Sequence, residues 1–193
     1  MSLFPSPAQT FVEQGPQSVV LGGGCFWCTE AIYLACTGVT AVIPGYAGGD
    51  ASSATYEQVC SGQSGHAEVI RIDYQAEQIS LGDLLLLFFS VAHDPTQRNR
   101  QGNDRGSQYR SVIFYQDEAQ RAFAAAYIEQ LNQASVFAAP IVTTLEQLHA
   151  FYPAESYHHN YVARNPEQPY VRFAAVPKLK KFSDQYPQWI IRR

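Results

Sequence analysis

The sequence predicts a single domain of mixed helices and strands, and three observations predict it. Strand-like apolar runs and helix-like segments are interspersed through the whole chain. Its 193 residues suffice for one sizeable core, with no internal repeat or second domain boundary. Composition is that of an ordinary globular protein, 46% hydrophobic and 16% charged.

Residues 1–17, rich in Pro, Ser and Gln, read as an extended arm, and residues 18–193 as one domain with its C-terminal tail. Residues 19–21 are a short buried strand. Gly22-Gly23-Gly24 then turns the chain into a helix that runs from Cys25 to Cys36 and stops before Gly38. Residues 39–46 are a second strand, and 56–60 a short helical turn. Alternation is clearest over 66–74: Glu68, Ile70, Ile72 and Tyr74 share one face, Val69, Arg71 and Asp73 the other. Ser80 and Asp83 stand in capping-box spacing ahead of a buried helix over 81–92. His93-Asp94-Pro95 ends it as a charged helix terminus. Residues 97–108 form a long polar loop of the kind that often carries function. A strand follows at 109–115. Asp117 caps an Ala-rich helix to Asn132, and 141–145 is another strand. Residues 151–164 read as a partly exposed helix with packing tyrosines, in which adjacent His158 and His159 cannot face one metal. The Pro-rich remainder, with Lys178, Lys180 and Lys181, reads as a tail wrapped over the domain.

A net charge of −4 argues against a nucleic-acid partner. The strongest apolar run, residues 84–89, is far shorter than the roughly 18–20 residues of a membrane span. No charged-then-apolar leader opens the chain. The expected location is the cytoplasm. All cysteines, Cys25, Cys28, Cys36 and Cys60, lie in the first third. In a reducing compartment they read as reactive or buried thiols, with Cys60 as a buried one.

The chemistry centres on Gly24-Cys25-Phe26-Trp27-Cys28. The strand, glycine turn and helix set Cys25 at a helix N-terminus, where free N–H groups and the helix dipole favour a thiolate. Phe26 and Trp27 make an apolar wall suited to a small greasy group. Cys-x-x-Cys spacing fits a dithiol redox pair or half of a zinc site, but no second Cys pair or spaced His completes a zinc set. Glu68, beside two isoleucines, reads either as a desolvated carboxyl with raised pKa or as a solvated strand-end glutamate.

Further motifs follow in order: Tyr46-Ala47-Gly48-Gly49, Thr55-Tyr56-Glu57-Gln58-Val59-Cys60-Ser61-Gly62, Gly65-His66-Ala67-Glu68-Val69, His93-Asp94-Pro95-Thr96, Gly102-Asn103-Asp104, Gln108-Tyr109-Arg110-Ser111, and Tyr157-His158 with Asn165-Pro166. With the cysteine stretch, they make the chain resemble peptide methionine sulfoxide reductase of the A class over roughly residues 18–182. The resemblance implies a two-layer α/β sandwich with a mixed sheet, an α/β plait core and a long wrapped C-terminal tail. It implies reduction of the S epimer of methionine sulfoxide, free or in proteins, as a repair of oxidative damage. No cofactor, metal, nucleic acid or membrane is expected, and the protein is expected to be a monomer. Cys25 is implied as nucleophile, Glu68 as proton donor, and Tyr56 and Tyr109 as holders of the sulfoxide oxygen. Phe26 and Trp27 are implied to cradle the S-methyl group, and Asp104 to order the loop or position substrate backbone. The sulfenic acid left on Cys25 is reduced by a thiol.

The chain departs from many relatives in its recycling cysteines. None follows Cys60, Pro169-Tyr170-Val171 stands where some relatives have Cys after Pro-Tyr, and Cys28 stands where many have Gly. Cys28 is the expected resolving thiol. The alternatives are glutathione or glutaredoxin acting on Cys25 directly, and Cys36 or Cys60. Thioredoxin or glutaredoxin/glutathione is the expected reductant. A dithiol oxidoreductase built on Cys25 and Cys28 is the rival reading, and it leaves the tyrosines and Glu68 idle.

Overall fold

In the computed structural model, which describes residues 4–191, β1 (Pro16–Gly23) lies inside the sheet because Val19, Val20 and Leu21 are buried on both its faces. Helix α1 (Phe26–Leu34), β2 (Val39–Ala47), the short α2 (Tyr56–Cys60) and β3 (Ala67–Gln75) follow. Next come α3 (Leu81–Leu87), the two-residue strands β4 (Arg100–Gln101) and β5 (Asp104–Arg105), β6 (Ser111–Tyr115) and α4 (Glu118–Gln133). The chain ends with β7 (Thr144–Gln147), β8 (Phe151–Pro153), α5 (Tyr161–Arg164) and α6 (Val176–Gln185). Six strands form one sheet in the order β7-β6-β1-β3-β2-β8, antiparallel throughout except for the parallel pair β6–β7.

This is the α+β, mixed-sheet layering that the motifs implied. Leu21, Ile70, Ile72 and Tyr74 of the sheet pack against Ile32 and Tyr33 of α1, Leu84 and Leu85 of α3, and Tyr127 of α4. The Tyr33 hydroxyl donates to Leu84 O at 2.9 Å and ties α1 to α3. Val20, Val69, Val112 and Phe114 form a smaller cluster on the other face. The caps are local chemistry. Asp83 N donates to Ser80 Oγ at 3.1 Å while Ser80 N donates to Asp83 Oδ2 at 3.0 Å, closing the capping box. The N-terminal arm is docked: Glu13 accepts hydrogen bonds from Leu81 N and the Tyr74 hydroxyl, and the Tyr127 hydroxyl donates to Pro5 O.

Four expectations change. Helix α3 ends at Leu87 and continues as a wider π turn over Phe88–Ala92. There the Ser90 hydroxyl donates to Leu86 O at 2.7 Å and competes with the helix ladder. His93 is not a charged terminus. Burial pushes it down to about 3, and its ring sits between Phe88 O and the Ser111 hydroxyl. The strands expected at 109–115 and 141–145 start later. A tight turn at Ser107–Tyr109 precedes β6, and Val142 N donates to Pro95 O instead of joining the ladder. Finally, residues 151–164 are not one helix. β8 pairs with β2, a tight turn holds Ser156–His158, and only Tyr161–Arg164 is helical.

Gly24 makes the turn from β1 into α1. Its φ is +84°, and a Cβ there would lie 2.6 Å from Gln101 Cβ. Gly24→Ala is expected to lose about 1–3 kcal/mol of stability, read from urea unfolding. An unchanged midpoint contradicts this account of the turn.

Candidate active site

Cys25 is the N-cap residue of α1, with φ −58° and ψ 123°. Its carbonyl accepts the Cys28 N–H at 3.2 Å, and its side chain is only 8% exposed. Burial pushes the Cys25 thiol well above the ordinary range, and its hydrogen bond to Cys28 and the Glu68 carboxyl push the same way. Cys28 moves down, chiefly because it accepts that hydrogen bond, with Lys178 adding to the effect against burial. Of the two thiols, Cys25 therefore holds its proton the more tightly. The helix terminus alone does not make it a thiolate, because a dipole contribution of about 0.3–2 kcal/mol is outweighed by desolvation.

Glu68 sits on β3 opposite Tyr46 of β2, on the helix side of the sheet with Ile70 and Ile72. It is 2% exposed, so the solvated reading of this residue falls away. Its Oε2 accepts the Phe26 N–H at 3.1 Å, and burial pushes its carboxyl up to about 8. At neutral pH it is mostly the protonated acid, bonded to the backbone N–H of the residue that follows the nucleophile.

Tyr56 opens α2 and Tyr109 ends the turn before β6. Burial, with the Glu68 charge contributing, raises both phenols, so both remain O–H donors. Asp104 comes from the β4–β5 hairpin. Its Oδ2 accepts the Tyr170 hydroxyl at 2.5 Å, and Tyr170 packs against the cluster that holds Cys25 and Cys28. Phe26 is buried. Trp27 is half-buried, stacks on Tyr161 with ring centres 3.8 Å apart and planes 7° apart, and donates its indole N–H to His158 Nδ1 at 3.0 Å.

The structure thus brings Cys25, Phe26, Trp27, Cys28, Tyr56, Glu68, Asp104 and Tyr109 to one region. It adds residues that the sequence reading did not assign to the site: Glu30, Glu155, His158, Tyr161 and Tyr170. His158 lay in a quoted motif, but its burial depends on α1, far away in the chain. Glu30, 2% exposed on α1, accepts the Asn160 N–H at 2.7 Å and fixes the segment that carries Tyr161. Cys60 is exposed, not buried: Val59 takes the inward position at the end of α2. Cys36 is 0% exposed, and its thiol donates to Ile32 O. Among the described residues no group of His, Cys, Asp and Glu is suited to a metal, and no helix is long and apolar enough to cross a membrane.

The profile of the family described as "Peptide methionine sulfoxide reductase" matches residues 17–189. A peptide methionine sulfoxide reductase MsrA from Natronomonas pharaonis is 47% identical over 176 residues, 91% of this chain and 98% of that one. One from Nautilia profundicola is 50% identical over 163 residues, 84% of this chain and 92% of that one. The crystal structure of reduced Mxr1 from Saccharomyces cerevisiae superposes with a TM-score of 0.72 at 32% identity, covering 85% of this chain and 93% of Mxr1. Fold and likeness define an oxidoreductase. The chain belongs to the peptide methionine sulfoxide reductase family.

Proposed function

We propose that this protein reduces the S epimer of methionine sulfoxide, free or in proteins, with Cys25 as nucleophile and Glu68 as acid, in the cytoplasm. The observation that carries the reading is a neutral carboxyl beside a buried thiol: Glu68, pushed up to about 8, accepts the N–H of the residue next to Cys25. Cys25 attacks the sulfoxide sulfur as its proton leaves. Glu68 protonates the oxygen, and the Tyr56 and Tyr109 hydroxyls hold that oxygen as its charge grows. Phe26 and Trp27 flank the S-methyl group. The sulfoxide S–O bond breaks as the hydroxyl passes to the Cys25 sulfur. The bond between the two sulfurs breaks with its electron pair going to methionine, which leaves. Cys25 becomes a sulfenic acid while the proton it gave up returns to Glu68. Asp104 acts through the Tyr170 phenol that it orients toward Cys25. The protein acts as a monomer.

Cys28 resolves that sulfenic acid. Its sulfur attacks the Cys25 sulfur, the S–O bond breaks, and oxygen leaves as water, giving a Cys25–Cys28 disulfide that thioredoxin or glutaredoxin/glutathione reduces. The lowered pKa of Cys28 and the core position of Cys36 both favour this route. With dithiothreitol, methionine is expected from the S epimer and not from the R epimer; turnover of R alone contradicts the assignment. With one equivalent of sulfoxide and no reductant, two thiols should disappear, and mass spectrometry should map the bridge to Cys25–Cys28. A stable sulfenic acid on Cys25 counts against Cys28.

A further inference from the structure

Tyr56 is the first residue of a five-residue helix, too short to hold its own register. Its side-chain cap, Gln58 N to Thr55 Oγ1, is long at 3.4 Å. A second anchor comes from the far end of the chain. Glu155 follows the edge strand β8, which is fixed on β2 by the Gly45–Pro153 register and by Ala154 N donating to Pro44 O at 2.9 Å. From there Glu155 Oε1 accepts the Tyr56 N–H at 2.9 Å, and Oε2 accepts the buried Tyr46 hydroxyl at 2.7 Å. Tyr46 is the cross-strand partner of Glu68. One carboxylate therefore joins β2, the strand paired with the acid's own strand β3, to the helix that holds the phenol.

His158 completes the arrangement. Its ring lies 4.5 Å from the Tyr56 ring, centre to centre. Its Nδ1 accepts from Trp27, so the ring proton is on Nε2, which has no hydrogen-bond partner among the described residues and faces Glu155 Oε2 at 3.8 Å. Burial raises the Glu155 carboxyl, but the hydrogen bonds from Tyr56 and Tyr46 outweigh it and hold the group below the usual carboxylate range. A charged acceptor at a helix N-terminus is a strong, directional contact.

We propose that Glu155 is a positioning residue for sulfoxide reduction: by gripping the Tyr56 backbone and the Tyr46 hydroxyl together, it aims the Tyr56 phenol at the sulfoxide oxygen. This rests on the reading of Tyr56 as an oxygen-holding group. Glu155 touches no reacting atom, so its whole effect on rate passes through Tyr56.

A double-mutant cycle tests that dependence. Single-turnover reduction of the S epimer at saturating substrate is measured for the parent, Glu155→Ala, Tyr56→Phe and the double variant, with Glu155→Asp in parallel as a change that keeps the charge but falls one methylene short. With Tyr56 present, Glu155→Ala is expected to slow the step roughly 10-fold to 10²-fold, the scale of a misaimed group. In the Tyr56→Phe background the same change is expected to cost about twofold or less. Glu155→Gln, which keeps an acceptor for the Tyr56 N–H, should recover most of the rate. Equal losses in both backgrounds, or a Gln variant as slow as the Ala variant, overturn the proposal. If Glu155→Ala does not fold, Glu155→Asp carries the cycle with the same criteria. A Tyr56→Phe enzyme with the parent's rate overturns the reading of Tyr56, and the proposal with it, and is distinct from a slow Tyr56→Phe enzyme with additive losses.

Discussion

Cys25→Ser is expected to abolish sulfoxide reduction, a loss of roughly 10⁴-fold or more, while the fold survives. No other cysteine can replace it. Cys36 is locked in the core, Cys60 lies at the surface end of α2, and Cys28 sits one turn further into α1. Serine keeps the size and the hydrogen-bonding capacity at this nearly buried N-cap, so far-UV circular dichroism should match the parent. The decisive measurement is methionine formation with dithiothreitol, which bypasses any question of recycling. A rate within tenfold of the parent would falsify the assignment of the nucleophile.

Glu68→Gln is expected to slow the chemical step by roughly 10²-fold or more, the usual scale for losing a general acid. Gln keeps an acceptor for the Phe26 N–H but cannot give up a proton. The pH profile adds a second criterion. The acid works protonated, so the parent's rate should be level below about 8 and fall above it, as the carboxyl ionises. The Gln variant should lack that descending limb. Linkage gives the sign for stability. The folded pKa of about 8 stands above the reference value of 4.5, so this group's contribution is fully present below 4.5 and is lost as pH rises through 8. The melting temperature of Glu68→Gln relative to the parent should therefore climb between pH 5 and pH 9. A flat difference would show that Glu68 ionises like an exposed carboxylate.

What was legible in the sequence is what local chemistry decides. Alternation over β3 set Glu68 on the same face as Ile70 and Ile72, and Ser80, Asp83 and Asp117 announced their caps. The nucleophile's place at the start of α1 followed from glycine and spacing. Contacts between distant segments were not legible. His93 looked like a charged terminus because its partners, Phe88 O and Ser111, converge only after folding. Cys60 looked buried by its neighbours' composition, yet α2 is a surface helix in which Val59 is buried and Tyr56 half-buried, with Cys60 left outside. His158 and Tyr170 lie far from α1 in the chain, and the partners of each, Trp27 for one and Asp104 and Cys25 for the other, belong to elements more than sixty positions away. The upward shift of the Cys25 thiol was also hidden, since helix polarity is a local signal and desolvation is a property of the finished core.

The roof over the two thiols has a consequence during synthesis. Val171 and Ala175 pack on Cys25 and Cys28, and Tyr170 reaches Cys25. On a ribosome working at about 5–20 residues per second, the stretch from Cys28 to Ala175 takes roughly 7 to 30 s to make. For that interval the nascent chain carries both sulfurs without their cover, and a ribosome stalled before Tyr170 leaves them so. Newly made chains, rather than finished ones, are therefore the population most open to mixed disulfides and overoxidation at these positions.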